Sequence, residues 1–565
     1  MRCRFAVSVM LCGWFVMSLA LAQDVRSMPA ATVGGAGAFG SDVREVVLDD
    51  MPAATAEQIT PHTKMLRPRD GRTDAQYAEM KRQAALLGNT HVMAPSGEAG
   101  PAPAQRSPFL TTTNSFIAQG EVCCTPSDMA IAVGPTYVLQ VVNTYFAVYT
   151  KKGVLQSGYP KSADAFFGLA AGTYTTDPRA VYDWTNGRYI VVMLTESSFS
   201  SNNVGKIMIA VSKTNNPTGG WNIISVQVGN TGECPDFPTL GHDSNNWGKN
   251  ATKGAIYIGI NQFANNCNGG FIQNYLYTFP KDKLYAGTGY YYWDQYGFTV
   301  GGTLVDTLSP ANPEGPGDHL SAELITNTFN ILFNCGGGCS GLTMWSENNV
   351  AAFTTGGPGP TFSGAVVPTT HTYYYPPSAG QPGSATSIDT GDLRISGSMF
   401  YHAGDLWGSF DTGVSGVSGA HAIWFDYHPL LNASQNIVGG DERSEDCFFC
   451  GGQGANGSSY YATLSPDAEN NVTMTYSFSD NNTYPEMVVT GRRVTYNDNQ
   501  MNGAGYVLAG GSGLYSQGRW GDFSAVAPDN SITHGVLMWT AGDYDNGGNW
   551  GTAISAQSYT KPTDQ

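Results

Sequence analysis

Short apolar runs alternate with clusters of Gly, Asn and Asp from about residue 108 onward. The runs RYIVVMLTE at 188–196 and AIYIGINQF at 255–263 are typical, being rich in β-branched and aromatic residues. Runs of this length and composition, bounded by turn-forming residues, predict β-strands rather than helices. We therefore expect an all-β fold for this part of the chain.

A pattern of three strands recurs seven times. Each repeat opens with a short apolar strand near an Asp or a polar-aromatic group, continues into a stronger strand and ends with a third. The openings are PSDMAIAVGP from Pro126, DPRAVYD from Asp177, DFPTLGHD from Asp236, DHLSAELI from Asp318, DTGDLRISGSMF from Asp389, SYYATLSPD from Ser459 and GDFSAVAPD from Gly521. Repeats of about 40–50 residues or more predict the four-stranded blades of a β-propeller. We predict seven blades, with six as the alternative.

The last repeat shows only three strands before Gln565. The segment FLTTTNSFIAQ, from Phe109, lies just before the first repeat. We predict that it supplies the fourth strand of the last blade, because this would close the ring and remove the exposed edges of an open sheet.

The first 22 residues have the pattern of a secretory signal peptide. Arg2 and Arg4 precede an apolar run, and Ala20-Leu21-Ala22 supplies the small residues of a cleavage site. We predict cleavage after Ala22, a secreted protein (extracellular or periplasmic), and no membrane insertion afterwards, since no later run is long enough to span a bilayer.

Residues 23–107 are predicted to be a mostly unstructured linker or pro-region, and 108–565 the propeller. A short helix is expected over DAQYAEMKRQAALL at 74–87. The glycines Gly35, Gly37 and Gly40 form a G-x-G-x-x-G match. We interpret this match as accidental, because no predicted strand precedes it and no helix follows.

The formal net charge is −17, with a pI of about 4.8. Nucleic acids and anionic membrane surfaces are excluded as expected partners, because both require a basic protein surface. The expected partner is an extracellular glycan or protein.

Eight of the ten cysteines lie beyond the predicted signal peptide, and an even set in a secreted chain predicts disulfides. The preferred pairs are Cys234–Cys267, Cys335–Cys339 and Cys447–Cys450, which leaves Cys123 and Cys124 as a vicinal pair. The alternative for the C-x3-C segment (Cys335, Cys339) and the C-x2-C segment (Cys447, Cys450) is a shared zinc site, but no histidine lies nearby in the sequence. We expect no metal ligands and no cofactor. Calcium bound by Asp- and Asn-rich loops is the alternative.

Four segments together resemble a largely uncharacterised family of secreted bacterial β-propellers near the sialidase-like superfamily. They are CTPSDMAIAVGP, TDPRAVYDWTNGRYIV, CPDFPTLGHD, and GRWGDFSAVAPD followed by NWGTAI. The resemblance covers about residues 120–560, and it implies a propeller fold and an extracellular setting. The S-x-D-x-G-x-T-W turns and the early Arg-Ile-Pro motif of true sialidases are missing from the sequence, so sialidase activity is not expected.

The first strand of each propeller blade lines the central axis, so polar residues at the strand starts are expected to converge there. The acid and base candidates are Asp128, Asp177, Asp236, Asp522, His319 and Tyr461, and the substrate-binding candidates are Arg179, Arg394 and Arg519. Paired carboxyl groups perform glycoside hydrolysis, and guanidinium groups bind the carboxylate of an acidic sugar. Asp residues at strand starts also cap backbone N–H groups, and that structural role is the alternative for each.

Two hypotheses follow from these residues. The chain is a polysaccharide hydrolase or lyase, or it is a non-catalytic propeller that binds a glycan or protein or acts as a scaffold. The fold alone does not choose between them, because propellers serve both purposes.

Overall fold

The computed structural model describes residues 26–27, 34–54, 72–89, 110–121, 124–197, 205–245, 252–265, 267, 269–318, 322–330, 333–349, 359–383, 386–448, 457–495, 501, 505–531 and 537–559. The side chains of 26–27, 88–89, 197 and 446–448 are outside this description. Strands dominate the described part of the chain, as predicted.

The N-terminal part contributes four strands and one helix. They are β1 (Arg26–Ser27), β2 (Gly34–Gly40), β3 (Arg44–Val47), α1 (Asp74–Asn89) and β4 (Leu110–Gly120), with a 3-10 turn at Leu48–Asp50. The helix begins at the residue predicted from the sequence.

Seven antiparallel meanders follow in chain order. Meander 1 contains β5 (Met129–Val133), β6 (Tyr137–Val142), β7 (Tyr145–Thr150) and β8 (Lys161–Ser162), and is followed by α2 (Ala163–Phe167). Meander 2 contains β9 (Thr173–Asp183), β10 (Arg188–Ser197), β11 (Lys206–Ser212) and β12 (Gly220–Gln227). Meander 3 contains β13 (Cys234–His242), β14 (Ala255–Phe263), β15 (Phe271–Pro280), α3 (Lys281–Ala286) and β16 (Tyr290–Tyr296). A small hairpin of β17 (Thr299–Val300) and β18 (Thr303–Leu304) comes next.

The remaining four meanders have the same order of strands. Meander 4 contains β19 (Ser309–Pro313), β20 (Glu323–Thr328), β21 (Cys339–Asn348) and β22 (Thr361–Tyr373), with a 3-10 turn at Cys335–Gly337. Meander 5 contains β23 (Met399–His402), β24 (Asp405–Val414), β25 (Val417–Leu431) and β26 (Ile437–Phe448). Meander 6 contains β27 (Ser458–Pro466), β28 (Val472–Asp480), β29 (Thr483–Arg492) and β30 (Tyr506–Ala509). Meander 7 contains β31 (Ala525–Pro528), β32 (Leu537–Asn546) and β33 (Asn549–Tyr559).

The first strands of the meanders form a closed ring. Each first strand contacts the first strand of the next meander, and β31 of the seventh contacts β5 of the first. Strand β4 pairs antiparallel with β33 and completes the seventh sheet, so the predicted closure is confirmed. A ring of twisted sheets whose first strands surround one axis is the architecture of a β-propeller.

Apolar residues on both faces of the middle strands hold neighbouring sheets together. On β10, Tyr189, Val191 and Met193 pack in a cluster with meander 1, whereas Ile190 and Val192 pack in a cluster with meander 3. Successive side chains of a strand point to opposite faces. The continuous apolar run of β10 therefore results from burial between two sheets, not on one side only.

Where it is described, the N-terminal region predicted as a mostly unstructured linker contains strands and a helix. Strands β3, β2 and β1 add to the outer edges of meanders 2, 3 and 4 by pairing with β12, β16 and β22. The chain then reaches meander 1, where the N–H of Ala54 donates to the carbonyl of Pro160 at 2.9 Å. Covering a sheet edge in this way blocks pairing with other chains.

The G-x-G-x-x-G match lies in strand β2, so its glycines serve packing. Gly37 is the register partner of Trp293, and a Cβ atom at Gly37 would come within 2.5 Å of the indole ring. Gly40 stands against Tyr290 in the same way. These glycines let aromatic rings of β16 lie across the edge strand.

Two of the predicted disulfides are present, Cys234–Cys267 and Cys335–Cys339. Cys124 is also disulfide-bonded. Cys123, Cys450 and the side chain of Cys447 lie outside the described part of the chain. Within it, no helix combines the length and apolar character needed to cross a bilayer.

The predicted opening of the fourth repeat at Asp318 is wrong. The first strand of meander 4 is β19, and Asp318 lies in the connection to the second strand β20. The sequence of β19, SPANP, lacks the apolar run by which the other first strands were recognised. As a consequence, the sequence also predicted the second strand of this repeat at the wrong place, at FNILFNC (329–335) instead of at β20.

Candidate functional site

Five residues near the starts of the first strands, or just before them, have a left-handed backbone although none is glycine. They are Asp128 (φ 32°), Asp177 (φ 53°), Phe237 (φ 52°), Thr307 (φ 48°) and Tyr461 (φ 51°). Side chains of L-residues disfavour this region, and it persists only where surrounding contacts enforce it.

A repeated hydrogen bond between neighbouring meanders supplies this enforcement. In four of the bonds, the backbone N–H of a left-handed residue at the start of one meander donates to a side chain of the preceding meander. In the fifth, the N–H of Asp522 in meander 7 donates to the side chain of Asp128, the left-handed residue of meander 1. The five bonds, which we call the inter-meander ties, are Asp177 N–H to Asn143 Oδ1 (2.8 Å), Phe237 N–H to Asp177 Oδ2 (3.2 Å), Thr307 N–H to Asn261 Oδ1 (2.8 Å), Tyr461 N–H to Asp411 Oδ2 (2.6 Å) and Asp522 N–H to Asp128 Oδ1 (2.8 Å).

The carboxylates of Asp128 and Asp177 are therefore engaged at both oxygens. Besides its tie, Asp128 accepts a bond at Oδ2 from the amide of Asn143 at 2.9 Å. Asp177 accepts a bond at Oδ1 from the hydroxyl of Thr176 at 2.8 Å. Both side chains are buried. These two acid candidates lie at the axis as predicted, and their contacts join meanders.

Arg179 crosses the axis and contacts three other meanders. Its Nε donates to the carbonyl of Pro238 and its Nη1 to the carbonyl of Ser396, both at 2.7 Å. The guanidinium carbon lies 3.6 Å from the centre of the Phe523 ring. Burial lowers the pKa of Arg179 to about 10, and the nearby carboxylate of Asp177 opposes this shift most strongly. Nη2 is buried without a hydrogen-bond partner among the described residues.

Arg394 forms the second cationic centre. Its Nε pairs with Asp392 Oδ1 at 2.9 Å and its Nη1 with Asp236 Oδ2 at 3.3 Å. The Phe237 ring lies between two guanidinium groups, 4.1 Å from that of Arg394 and 5.5 Å from that of Arg179. Asp236 keeps 13% of its side chain exposed, the largest exposure among the four predicted Asp residues.

Arg519 forms the third centre. Its Nη2 donates to Asp522 Oδ2 at 2.8 Å, and its Nη1 lies 3.6 Å from Asp389 Oδ2. The three predicted arginines thus share one region with six carboxylates. We call this set the axial cluster: Arg179, Arg394, Arg519, Asp128, Asp177, Asp236, Asp389, Asp392 and Asp522.

Helix α1 docks onto the rim of the axial cluster. The Tyr77 hydroxyl donates to Asp389 Oδ1 at 2.9 Å, and the Lys81 ammonium donates to the Pro376 carbonyl at 2.8 Å and the Thr390 hydroxyl at 3.0 Å. Lys81 is buried although it is a lysine. The helix is therefore fixed by specific polar bonds to the loop that precedes meander 5.

A groove runs between this helix and the rim, with a volume of about 450 Å³. Its lining includes Asp74, Tyr77, Ser387, Asp389 and Gln517. Volumes of this order suit a small ligand or a sugar unit. The sequence prediction missed it, because the contact between residues 74–81 and 378–389 leaves no signal in the local pattern.

The central channel is a different and narrow space, with a volume of about 40 Å³ and both polar and apolar groups in its wall. It is lined by first strands of six meanders, with Met129, Ile131 and Val526 among the lining residues. Among the described residues, Arg179 and His242 are the basic side chains that line it. The channel wall therefore offers few groups for acid or base chemistry.

Tyr461 and its neighbour Tyr460 are both buried. The Tyr460 hydroxyl donates to Ser479 Oγ at 3.1 Å, and burial raises the pKa of Tyr460 well above its ordinary value. Tyr461 packs edge-on against Tyr460, with ring centres 5.9 Å apart. His319 lies outside the described residues.

Two carboxyl groups that the sequence analysis did not select have raised pKa values. Burial raises the pKa of Asp411 and of Asp543 to about 7. Asp543 accepts a bond from the Ser127 hydroxyl at 2.7 Å, which joins meander 7 to meander 1. Both residues are 2% exposed.

Comparisons with known proteins give no family. No family model matches the chain, and no curated protein matches it. Among solved structures, a Dyadobacter fermentans protein of unknown function is similar with a TM-score of 0.37 and 8% identity over 80% of this chain and 100% of the other. Trypanosoma rangeli sialidase has a TM-score of 0.32 and 8% identity over 79% of this chain and 60% of the other. A putative exo-β-1,3-galactanase from Bifidobacterium bifidum has a TM-score of 0.26 and 10% identity over 57% and 95%. At these TM-scores we draw no argument from the similarities.

Proposed function

We propose that this chain is a secreted, seven-bladed β-propeller that recognises an extracellular glycan without cleaving it. Each meander corresponds to one blade. The disulfides Cys234–Cys267 and Cys335–Cys339 support an oxidising compartment, because such bonds persist mainly outside the cytosol. The proposal depends most on one observation, which is that the axial carboxylates already have protein partners.

Bond cleavage requires carboxyl groups that reach the substrate. A glycosidase uses one carboxyl as acid and a second as base or nucleophile on opposite sides of the sugar linkage. Asp128 accepts a bond from the N–H of Asp522 and Asp177 one from the N–H of Phe237, both in neighbouring meanders, and Asp522 pairs with Arg519. Asp411 and Asp543, whose pKa values burial raises to about 7, are themselves buried. This arrangement favours recognition over catalysis.

The groove beside helix α1 is the proposed glycan site. Asp74 and Ser387 are exposed there, and their oxygens can accept bonds from sugar hydroxyl groups. Tyr77 adds an aromatic ring that can pack on a sugar face. The two acidic side chains of the lining, Asp74 and Asp389, outnumber its one basic side chain, Lys81, which favours a neutral glycan over an acidic one.

A glycan array of neutral and acidic oligosaccharides tests this proposal. The Ser387→Trp variant fills the groove from an exposed position and is expected to reduce binding at least tenfold. Ser434→Trp, at an exposed turn between β25 and β26, is the matched control and is expected to bind as the unaltered protein does. Equal binding by both variants, or no glycan bound at all by the folded protein, would contradict the groove assignment.

Cleavage of a polysaccharide is the second candidate, and the partial exposure of Asp236 favours it. Its partner Arg394 would then hold a substrate carboxylate. Incubation with neutral and acidic polysaccharides, with detection of new reducing ends and unsaturated uronates, distinguishes a hydrolase from a lyase. Products that form with the unaltered protein and vanish in Asp236→Asn would establish an enzyme and replace the binding proposal.

A further inference from the structure

The far end of the axis, where the first strands finish, carries a separate cluster of three side chains. Glu314 follows β19, His402 is the last residue of β23, and Asp318 lies four positions after Glu314. One ligand atom from each side chain lies within 4.8 Å of the other two. The parallel pairing of β19 with β23, with Pro313 opposite Tyr401, brings the two strand ends together.

The backbone around this cluster holds the three side chains in place. His402 Nδ1 lies 2.8 Å from Asp318 Oδ2 and 3.6 Å from Glu314 Oε2. Asp318 accepts bonds from the N–H of Gly315 and from the N–H of Ala403, both at 3.2 Å. The loop thus presents its carboxylates to the imidazole without a large rearrangement.

The buried carboxyl of Glu314 is an independent observation that points to a ligand. Its side chain is 2% exposed, and Oε1 has no hydrogen-bond partner among the described residues. A buried carboxylate oxygen without a donor is costly.

A second His–Asp pair in the same protein shows what is special here. His428 Nδ1 lies 2.8 Å from Asp405 Oδ1, the same distance as between His402 and Asp318. The His428–Asp405 pair is more exposed. Among the described residues, no third His, Cys, Asp or Glu side chain joins it to form a group of three possible metal ligands. The difference at His402 is the third, buried ligand Glu314.

We propose that Glu314, Asp318 and His402 bind a divalent transition-metal ion, with zinc as the preferred ion. One imidazole nitrogen and two carboxylate oxygens are ligands that zinc accepts, whereas calcium and magnesium prefer oxygen ligands only. Three protein ligands leave a coordination position for water. Asp318 keeps 14% of its side chain exposed, so an ion has a route from solvent.

Calorimetric titration of the full chain with zinc chloride tests the site. We expect one zinc ion per chain, and at least tenfold weaker binding in Glu314→Gln and in His402→Ala. The matched controls Asp405→Asn and His428→Ala are expected to keep full affinity. Zinc uptake that is unchanged in both Glu314→Gln and His402→Ala, or lost equally in the controls, would overturn the proposal.

Two further measurements keep the test decisive. Cobalt(II) added in place of zinc should give visible absorption bands that disappear in His402→Ala and persist in His428→Ala. In the presence of a chelator, Glu314→Gln should melt at or above the temperature of the unaltered chain, because it removes a buried carboxyl. A chain that binds calcium at least as tightly as zinc at these residues would refute the transition-metal assignment.

Discussion

Asp128 Oδ1 accepts a 2.8 Å hydrogen bond from the backbone N–H of Asp522, and this bond joins the first meander to the seventh. The same carboxylate accepts a bond from Asn143, whose own amide oxygen receives the tie from Asp177. Two buried side chains, those of Asp128 and Asn143, thus link meanders 7, 1 and 2. The sequence analysis proposed Asp128 as an acid catalyst because it lies at the start of a first strand. The same location lets its carboxylate hold the first and seventh meanders together.

Replacement of Asp128 tests this structural role. Asp128→Ala leaves two buried donors without an acceptor, and we expect it to lower the free energy of unfolding by about 2–4 kcal/mol. Asp128→Asn keeps one oxygen and should cost less. Denaturant unfolding measures both, with the exposed Asp74→Ala as control. If Asp128→Ala is as stable as the unaltered chain but has lost glycan binding or activity, Asp128 acts in the functional site and not in holding the ring.

Strand β4 closes the ring from the other side, because it fills the edge of meander 7. Ser115 of β4 is the register partner of Ser555. Proline at 115 cannot donate to the ladder, so Ser115→Pro is expected to cost about 3 kcal/mol or more and to promote aggregation through the opened edge of β33. Ser115→Ala, which keeps the N–H, is the control. Light scattering and thermal melting report both effects, and equal behaviour of the two variants would contradict the closure.

Most strands were predictable because their local pattern is strong. Strands β10 and β14 are continuous runs of β-branched and aromatic residues, and their bounds match the sequence prediction closely. The closing strand was predictable from a count, since the seventh repeat lacked one strand. By contrast, β19 has the sequence SPANP and is a strand only because its neighbours surround the axis. Local propensity carries no information of that kind.

The candidate site was predictable in its members but not in its contacts. Arg179, Arg394 and Arg519 do lie near the axis, because first strands converge in a propeller. Their partners come from distant segments, as with Ser396 for Arg179 and Asp236 for Arg394. No spacing in the sequence encodes such pairs. The docking of α1 through Tyr77 on Asp389 was invisible for the same reason.

Stability is expected to fall as pH rises from about 5 to 8, and Asp426 provides the clearest case. Burial raises its pKa to about 8, with Asp405 adding to the shift. The folded state then holds a proton that the unfolded chain releases near pH 4, so the stabilisation is complete below that pH and is lost as pH rises toward 8. Asp426→Asn mimics the protonated form and should gain about 2–5 kcal/mol relative to the unaltered chain at pH 8, and less at pH 5.

Thermal melting at both pH values measures this gain. Asp74→Asn, on the exposed face of α1, is the control and should leave the pH profile unchanged. A gain for Asp426→Asn that is equal at pH 5 and pH 8 would show that the effect is not due to titration of this carboxyl.

The two disulfides should differ in their contribution to stability. Cys234 and Cys267 are 33 residues apart, whereas Cys335 and Cys339 are four apart. A longer closed loop removes more entropy from the unfolded chain, with expected values of about 4 and about 2 kcal/mol. The paired serine variants Cys234→Ser/Cys267→Ser and Cys335→Ser/Cys339→Ser should therefore lower the denaturant midpoint by different amounts. The reverse order would contradict the loop-entropy argument for this protein.

Arg179 separates the structural and ligand-binding interpretations of the axis most directly. Its guanidinium serves two carbonyl groups, those of Pro238 and Ser396, and packs on Phe523, so it joins four meanders. Arg179→Met keeps most of the packing but leaves both carbonyls without a donor, and we expect a loss of about 2–4 kcal/mol. Arg188→Met is the matched control, because the bonds that Arg188 Nη1 donates are to the nearby carbonyls of Asn186 and Gly187. Denaturant unfolding and the glycan array are measured together. If Arg179→Met is as stable as the control yet no longer binds an acidic glycan, this arginine belongs to the ligand site. That result would contradict the assignment of the glycan site to the groove beside α1.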